Sequence, residues 1–145
     1  MVEAYKMYID GNFVDSANKV TFESYNPENN TAWSSFPEAS IDDVDKAVGS
    51  AKKAFKTWSV LDVKVRAEYL RAIGDQLFDN ADLIGRIETI DSGKLLKETK
   101  FQAQYMKEYF HYYASLVEEM NNEKIIQDID KPDMEVVEVS EPIGV

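Results

Sequence analysis

Apolar residues recur every three or four positions over most of residues 40–120, and this spacing constrains the fold more than any other feature of the sequence. Such spacing places them along one side of successive α-helices, because 3.6 residues complete a helical turn. The apolar positions of the first helix are Val44, Ala47, Val48, Ala51, Ala54, Phe55 and Trp58. The pattern predicts a layer of helices whose apolar sides need to be covered.

Residues that favour helix ends divide this region into four predicted helices. Ser40 is an N-cap residue type, and the acidic residues after it suit the positive end of a helix dipole. The second helix is expected from Val63 to Phe78. The third is expected to end at Asp91, with Gly93 as the left-handed residue that closes it. The fourth is expected from Leu96 to Met120, with an unusually aromatic apolar side.

The segments before and after the helices show the patterns of β-strands. The predicted extended segments are residues 8–14, Val20 to Tyr25, Trp33 to Phe36, Ile125 to Ile129 and Met134 to Val139. Within the first of these, Gly11 and Asn12 form the expected turn of a tight hairpin, because both tolerate positive φ. Asn26-Pro27 ends the second, because proline disfavours the α region for its predecessor.

Composition limits the kinds of protein that this chain can be. Its 145 residues, 44% hydrophobic and 30% charged, are typical of one soluble globular domain. The net charge of −11 repels phosphate backbones and anionic lipid headgroups, so neither nucleic acid nor membrane is an expected partner. With no secretory signal and no apolar run long enough for a membrane span, a cytoplasmic location is expected.

The residue types present exclude several kinds of active site. The sequence has no cysteine and one histidine, which excludes disulfides, thiolate nucleophiles and multi-histidine metal sites within one chain. The glycines match neither a dinucleotide-binding fingerprint nor a P-loop. His111 lies among aromatic residues and is interpreted as a packing residue. Glu88 and Asp91, three apart on a helix, could share a cation or form an acid–base pair, although such pairs are usually solvated.

A set of short motifs runs through nearly the whole chain in a specific order and spacing. The motifs are residues 8–14, Phe22 with Asn26-Pro27, residues 43–48 and 51–58, Arg66, Leu70, Ile73, Leu77, and residues 88–94, 112–114 and 141–145. Together they resemble the beginning of an aldehyde dehydrogenase superfamily subunit. Asn30, Leu95 and Ser115 depart from the family pattern, which weakens a subfamily assignment more than the family resemblance.

This resemblance implies an α/β parent, of which these residues form an α+β, mainly helical portion with an N-terminal β-hairpin. Within residues 1–145, it assigns 1–36 to the hairpin and strands, 40–121 to the helical part and 125–145 to extended oligomerisation strands. In that family a cysteine attacks the aldehyde, NAD or NADP accepts the hydride, and a glutamate-activated water releases the acid. Those groups lie downstream in the family. The chain is therefore expected to hold no catalytic or cofactor-binding residue and to be inactive alone.

The resemblance also implies contributions from particular residues. By position on the long aromatic helix, one wall of the substrate entrance is assigned to Gln102, Tyr105, Met106 and Tyr109. An aromatic wall would suit hydrophobic or aromatic aldehydes. By position near the Asn-Pro turn and the end of the third helix, a structural Na⁺ or K⁺ site is assigned to Ser24, Tyr25 and Asp91.

The expected partners are the remainder of the subunit and further copies of it. The strand from Met134 to Val139 resembles the family's oligomerisation element, which would pair with a sheet of a neighbouring subunit. The apolar end at Pro142–Val145 indicates a truncated sequence. Two other interpretations remain open: a free-standing acidic interaction or oligomerisation module, and an unrelated helical binding domain whose tyrosine face holds a ligand.

Overall fold

The computed structural model of the chain describes residues 2–119, 123–126, 134 and 136–145. In chain order its elements are β1 (Glu3–Ala4), β2 (Met7–Ile9), β3 (Asn12–Val14), β4 (Thr21–Asn26), β5 (Thr31–Pro37), α1 (Ile41–Trp58), α2 (Val63–Asp79), α3 (Ala81–Ser92), α4 (Leu96–Glu119), β6 (Glu123–Ile126) and β7 (Val136–Val139). The predicted α+β, mainly helical fold with N-terminal strands is confirmed. Strand β1 was not expected from the sequence.

Strands β2 and β3 form the predicted antiparallel hairpin, but its turn lies one residue earlier than expected. The two residues with positive φ are Asp10 (52°) and Gly11 (76°), so the prediction of a Gly11-Asn12 turn was wrong. Asp-Gly suits a two-residue turn that needs positive φ at both positions. Asn12 instead begins β3, and its amide donates a hydrogen bond to the carbonyl of Asp10 at 2.8 Å.

Strands β1, β5 and β4 form a sheet in that order, with β1 parallel and β4 antiparallel to β5. The β4–β5 ladder contains a bulge. Ser24 pairs with Ser34 and Tyr25 pairs with Ala32, which leaves Trp33 as the extra residue of β5. A bulge sets two residues of one strand opposite one residue of the other. Trp33 and Ser34 therefore both lie opposite Ser24.

Helix α1 begins at the predicted N-cap, Ser40, with a capping box. The Ser40 hydroxyl accepts from the Asp43 N–H at 3.3 Å, and the Asp43 carboxylate accepts from the Ser40 N–H at 3.0 Å. The buried Asp43 carboxylate also accepts from the Ala17 N–H at 3.0 Å, which ties α1 to the loop before β4. The hydrogen bonds from the N–H groups of Ala17 and Ser40 hold the pKa of Asp43 below its usual range.

Helices α2 and α3 both pack against α4, and small residues let their backbones approach closely. A Cβ atom on Gly74 would lie 2.9 Å from Cβ of Phe110, and one on Gly85 would lie 2.9 Å from the backbone N of Lys100. The fully buried Thr99 donates to the carbonyl of Gly85 at 2.8 Å. Within the described residues, the buried apolar side chains are Ala67, Ala81, Ala103 and Ala114.

Many of the large apolar side chains of the helices are exposed to solvent instead. The chain exposes 11493 Å², whereas a folded monomer of this mass exposes about 7,600 Å². Exposed large apolar residues on the helices include Val44, Trp58, Tyr69, Ile73, Leu83, Phe101, Tyr105, Tyr112 and Tyr113. No helix in the described part of the chain combines the length and apolarity needed to cross a membrane. The helices thus pack through small residues and leave much of their apolar surface uncovered.

Replacing Gly93 tests the predicted end of α3, where φ is 74°. A Cβ there would lie 2.9 Å from Cγ of Pro27. Gly93→Ala is expected to lower the free energy of unfolding by about 1–3 kcal/mol, because left-handed backbone is costly for alanine and Pro27 must shift. Urea unfolding followed by circular dichroism measures this. Gly49→Ala, in α1 with open space around its Cβ, should instead stabilise by about 0.5–1 kcal/mol. Equal effects of both variants would contradict this account.

The Asp43 hydrogen bonds predict a pH dependence of stability. The pKa of Asp43 is lower in the folded than in the unfolded chain. The stability that the Asp43 carboxylate contributes is therefore fully present above the unfolded pKa, and it is lost as the pH falls through the folded pKa. The free energy of unfolding of Asp43→Asn should therefore lie below wild type at pH 7, and the gap should shrink below about pH 4. A gap that stays constant as the pH is lowered would contradict this account.

Candidate functional site

The Asp91 carboxylate joins the last turn of α3 to the β4–β5 sheet. Its Oδ1 atom accepts a hydrogen bond from the Ser24 hydroxyl at 2.5 Å and another from the Trp33 indole N–H at 3.2 Å. Gly93, the residue after the end of α3, lies against Pro27 of the Asn-Pro turn. Two of the three residues assigned to the cation site, Ser24 and Asp91, are therefore in contact.

Tyr25, the third assigned residue, directs its side chain elsewhere. Its hydroxyl donates to Oε2 of Glu23 at 2.8 Å, and this hydrogen bond raises the pKa of Tyr25 above its usual value. The phenol is thus engaged by a residue of the same strand. Any oxygen that Tyr25 supplies to a site at Asp91 has to be its backbone carbonyl.

A buried hydroxyl without a partner lies beside this cluster. Ser34 is fully buried, and its Oγ has no hydrogen-bond partner among the described residues. Ser34 is the ladder partner of Ser24, so their Cβ atoms are about 5 Å apart. An unsatisfied buried hydroxyl costs roughly 1–3 kcal/mol, which a bound group could recover.

The oxygen atoms near Asp91 fit one kind of metal ion better than others. They comprise one carboxylate together with neutral hydroxyl and carbonyl groups, which are ligands that hard cations prefer. No cluster of three histidine, aspartate or glutamate residues occurs in the described part of the chain. The ligand set therefore suits a monovalent cation better than a transition metal, which favours nitrogen and sulfur ligands.

Glu88 and Asp91 act separately, although they are three residues apart on α3. Glu88 Oε1 accepts from Nζ of Lys94 at 2.6 Å, across the end of the helix. Asp91 is held by Ser24 and Trp33 instead. The two carboxylates thus contact different partners, and neither an acid–base couple nor a shared ion is supported by these contacts.

The four residues assigned to the entrance wall share one exposed side of α4: Gln102, Tyr105, Met106 and Tyr109. Aromatic contacts organise this side. The Tyr105 ring stacks on Phe101 with 5.7 Å between centroids and meets Tyr109 edge-on at 5.2 Å. Such offset and edge contacts are the favourable arrangements of aromatic pairs. The helix therefore presents an aromatic surface to solvent.

An apolar cavity of about 460 Å³ lies between α2 and α4 beside this surface. Its lining comprises Leu70, Met106, Tyr109, Phe110 and Tyr113. Two of these residues, Met106 and Tyr109, belong to the assigned wall. No charged side chain lines the cavity, so it suits an uncharged, apolar group.

Sequence reasoning missed the partner of His111. Asp75 Oδ1, on α2, lies 3.0 Å from Nε2 of His111 and 2.9 Å from Nζ of Lys107, both on α4. The hydrogen bond from Lys107 is the main reason that the pKa of Asp75 is lowered, and the same bond raises the pKa of Lys107. The pairing joins residues 36 positions apart, so no local pattern could have revealed it.

The structure describes part of the segment from Met134 to Val139 that was assigned to oligomerisation. Met134 and Val136–Val139 are described, and Glu135 lies outside the described residues. Strand β7 pairs antiparallel with β6 along one edge, and its residues are exposed. In the described part of the chain its other edge has no partner strand, which is the geometry that strand addition requires.

Comparison with known proteins gives one consistent result. A profile described as "Aldehyde dehydrogenase family" matches residues 13–145. A curated protein of Acinetobacter baylyi, (Z)-2-((N-methylformamido)methylene)-5-hydroxybutyrolactone dehydrogenase, is 37% identical over 146 residues, covering 99% of this chain and 29% of that protein.

Solved structures agree with this match. Betaine aldehyde dehydrogenase from Staphylococcus aureus in complex with NAD⁺ has a TM-score of 0.84 and 33% identity, covering 94% of this chain and 27% of that one. A double mutant of the same enzyme with NAD⁺ has a TM-score of 0.86 and 32% identity, covering 97% of this chain and 28% of that one. The chain spans less than a third of the length of these relatives.

The uncovered helix faces predict that the chain self-associates or is marginally folded in isolation. Exposed apolar surface favours association, and added salt should increase it because salt screens the repulsion between copies of charge −11. Sedimentation velocity at several salt concentrations measures this. The variant with Phe101→Ser and Tyr112→Ser should associate less. A monodisperse wild-type monomer with a sharp cooperative melt would contradict the prediction.

Proposed function

Because the chain belongs to the aldehyde dehydrogenase family, we propose that it is the N-terminal, non-catalytic portion of an NAD(P)-dependent aldehyde dehydrogenase subunit. The observation that carries this proposal is the uncovered apolar surface of the helices in a chain that spans 27% to 29% of its relatives. Remaining polypeptide of the subunit would cover that surface. The complete subunit would oxidise an aldehyde to a carboxylic acid.

The chemical groups of that reaction would come from the rest of the subunit. This sequence has no cysteine to attack an aldehyde, and its glycines do not form a dinucleotide-binding fingerprint. The residues of this chain therefore do not fit a cofactor site of their own. The NAD⁺ complexes of the Staphylococcus aureus enzyme support NAD as the cofactor of the complete subunit.

Three contributions of this chain belong to the proposal. The exposed side of α4 at Gln102, Tyr105, Met106 and Tyr109 would form one wall of the substrate entrance, and its aromatic surface and neighbouring apolar cavity favour hydrophobic or aromatic aldehydes. Ser24, Asp91 and the Tyr25 carbonyl would hold Na⁺ or K⁺. The free edge of β7 would pair with a second subunit in a homo-oligomer in the cytoplasm.

The test of this proposal is reconstitution with the polypeptide encoded in frame after Val145. That polypeptide and the present chain are produced separately, mixed, and assayed for NADH formation with an aldehyde and NAD⁺. We expect NADH from the mixture and none from either part alone. Binding without NADH formation would favour the alternative, an acidic interaction module, and an in-frame stop codon after Val145 would contradict the proposal directly.

Substitutions in the entrance wall should change aldehyde selectivity in the reconstituted enzyme. Tyr105→Ala with Met106→Ala removes aromatic and apolar contact, so kcat/KM for an aromatic aldehyde relative to a small aliphatic one should fall about tenfold. Tyr8→Ala, an exposed tyrosine on the β2–β3 hairpin, is the control and should leave the ratio unchanged. Wild-type selectivity in the double variant would show that the wall assignment is wrong.

A further inference from the structure

We propose that the buried hydroxyl of Ser34 is a ligand of the monovalent cation beside Asp91, and that Trp33 is the positioning residue that orients the carboxylate toward that cation. This inference rests on the cation site of the proposed function and adds two residues to it. Three observations support it. Strand β5 contains a bulge at Trp33, both hydrogen-bond donors to the Asp91 carboxylate contact the same oxygen, and the Ser34 hydroxyl has no partner among the described residues.

The Asp91 carboxylate is oriented by donors on one oxygen only. Ser24 and Trp33 both donate to Oδ1, and the described residues place no donor on Oδ2. No lysine or arginine of the described chain forms an ion pair with Asp91, and the nearby Lys94 is bound to Glu88. Asp91 is an exposed residue, and its Oδ2 atom has no protein donor or cationic side chain as a partner among the described residues.

The bulge explains how Trp33 reaches Asp91. In a regular strand, neighbouring residues point to opposite faces, so Trp33 and Ser34 could not both face Ser24. Because Trp33 is the extra residue of the bulge, it lies on the Ser24 side with Ser34. Edge contacts with Tyr5 and Phe36, at 6.1 and 6.4 Å between centroids, hold its ring in place.

The Ser34 hydroxyl supplies a further oxygen on the face of the sheet that carries Ser24. It is fully buried, lies across the ladder from Ser24, and has no partner among the described residues. The Ser24 proton is committed to Asp91, whereas the Ser34 hydroxyl has neither a donor nor an acceptor partner among the described residues, so lone pairs remain on Oδ2 of Asp91 and on the oxygen atoms of Ser24 and Ser34. A group of acceptors with one negative charge favours a small cation with oxygen ligands.

The test follows the emission of Trp33 during titration with NaCl or KCl, with N-methylglucamine chloride keeping the ionic strength constant. All variants carry Trp58→Phe, which leaves Trp33 as the sole tryptophan. We expect a saturable change with Na⁺ or K⁺ and a matching rise in melting temperature. Ser34→Cys keeps the shape of the side chain with a somewhat larger terminal atom and replaces a hard oxygen by sulfur, so the midpoint concentration should rise about tenfold.

Two further variants separate a ligand from a packing effect. Ser35→Cys changes the next residue of the same strand and should leave the midpoint unchanged. Trp33→Phe keeps an aromatic ring without the indole N–H, so the cation-dependent rise in melting temperature should shrink while the fold remains.

Three results would overturn the inference, and they point to different errors. No cation response in a Trp58→Phe parent whose circular dichroism and melt show that it is folded would show that both the cation site and this inference are wrong. A parent response with an unchanged midpoint in Ser34→Cys would leave the cation site standing and exclude Ser34 as a ligand. An unchanged cation-dependent rise in Trp33→Phe would exclude the positioning role of Trp33. None of these results depends on NADH formation, so reconstitution tests the family-level proposal separately.

Discussion

The close approach of α2 and α3 to α4 determines the rest of this structure. Gly74 and Gly85 leave no room for a side chain between the helices, and Thr99 bridges the narrow gap with a hydrogen bond to the Gly85 carbonyl. Alanines and Thr99 occupy the fully buried contact positions, and the larger apolar side chains of α4 are half-buried or exposed. With the helices held together in this way, Phe101 and the four tyrosines of α4 remain exposed, which is why this surface suits further polypeptide or a substrate.

Local sequence signals predicted the helices well. The N-cap at Ser40 and the left-handed Gly93 both depend on interactions within a few residues, so their sequence patterns are sufficient. The hairpin turn was misplaced by one residue because Asp10, Gly11 and Asn12 all tolerate positive φ, and only the strand register decides between them. Propensity alone cannot supply that register.

Contacts between distant segments were less accessible to sequence reasoning. Family resemblance assigned Ser24 and Asp91 to one site, and they are in contact across 67 positions of sequence. The resemblance did not indicate that the Tyr25 phenol would bind Glu23 or that Trp33 would reach Asp91. Both hydrogen bonds depend on the directions in which the Tyr25 and Trp33 side chains leave the two strands beside the bulge. The Asp75 contact with Lys107 and His111 likewise depends on how two helices align.

The bulge in β5 has a consequence for comparing this chain with its relatives. Residues 31–34 of β5 lie opposite only three residues of β4, 24–26. The number of residues in this part of β5 therefore decides which face of the sheet each side chain occupies. A relative that lacks the extra residue would keep similar hydrogen bonds between the two strands. In that relative, the side chains that precede the bulge position in sequence would lie on the opposite face of the sheet. Aligning such sequences by residue type alone would therefore equate side chains that occupy different sides of the sheet.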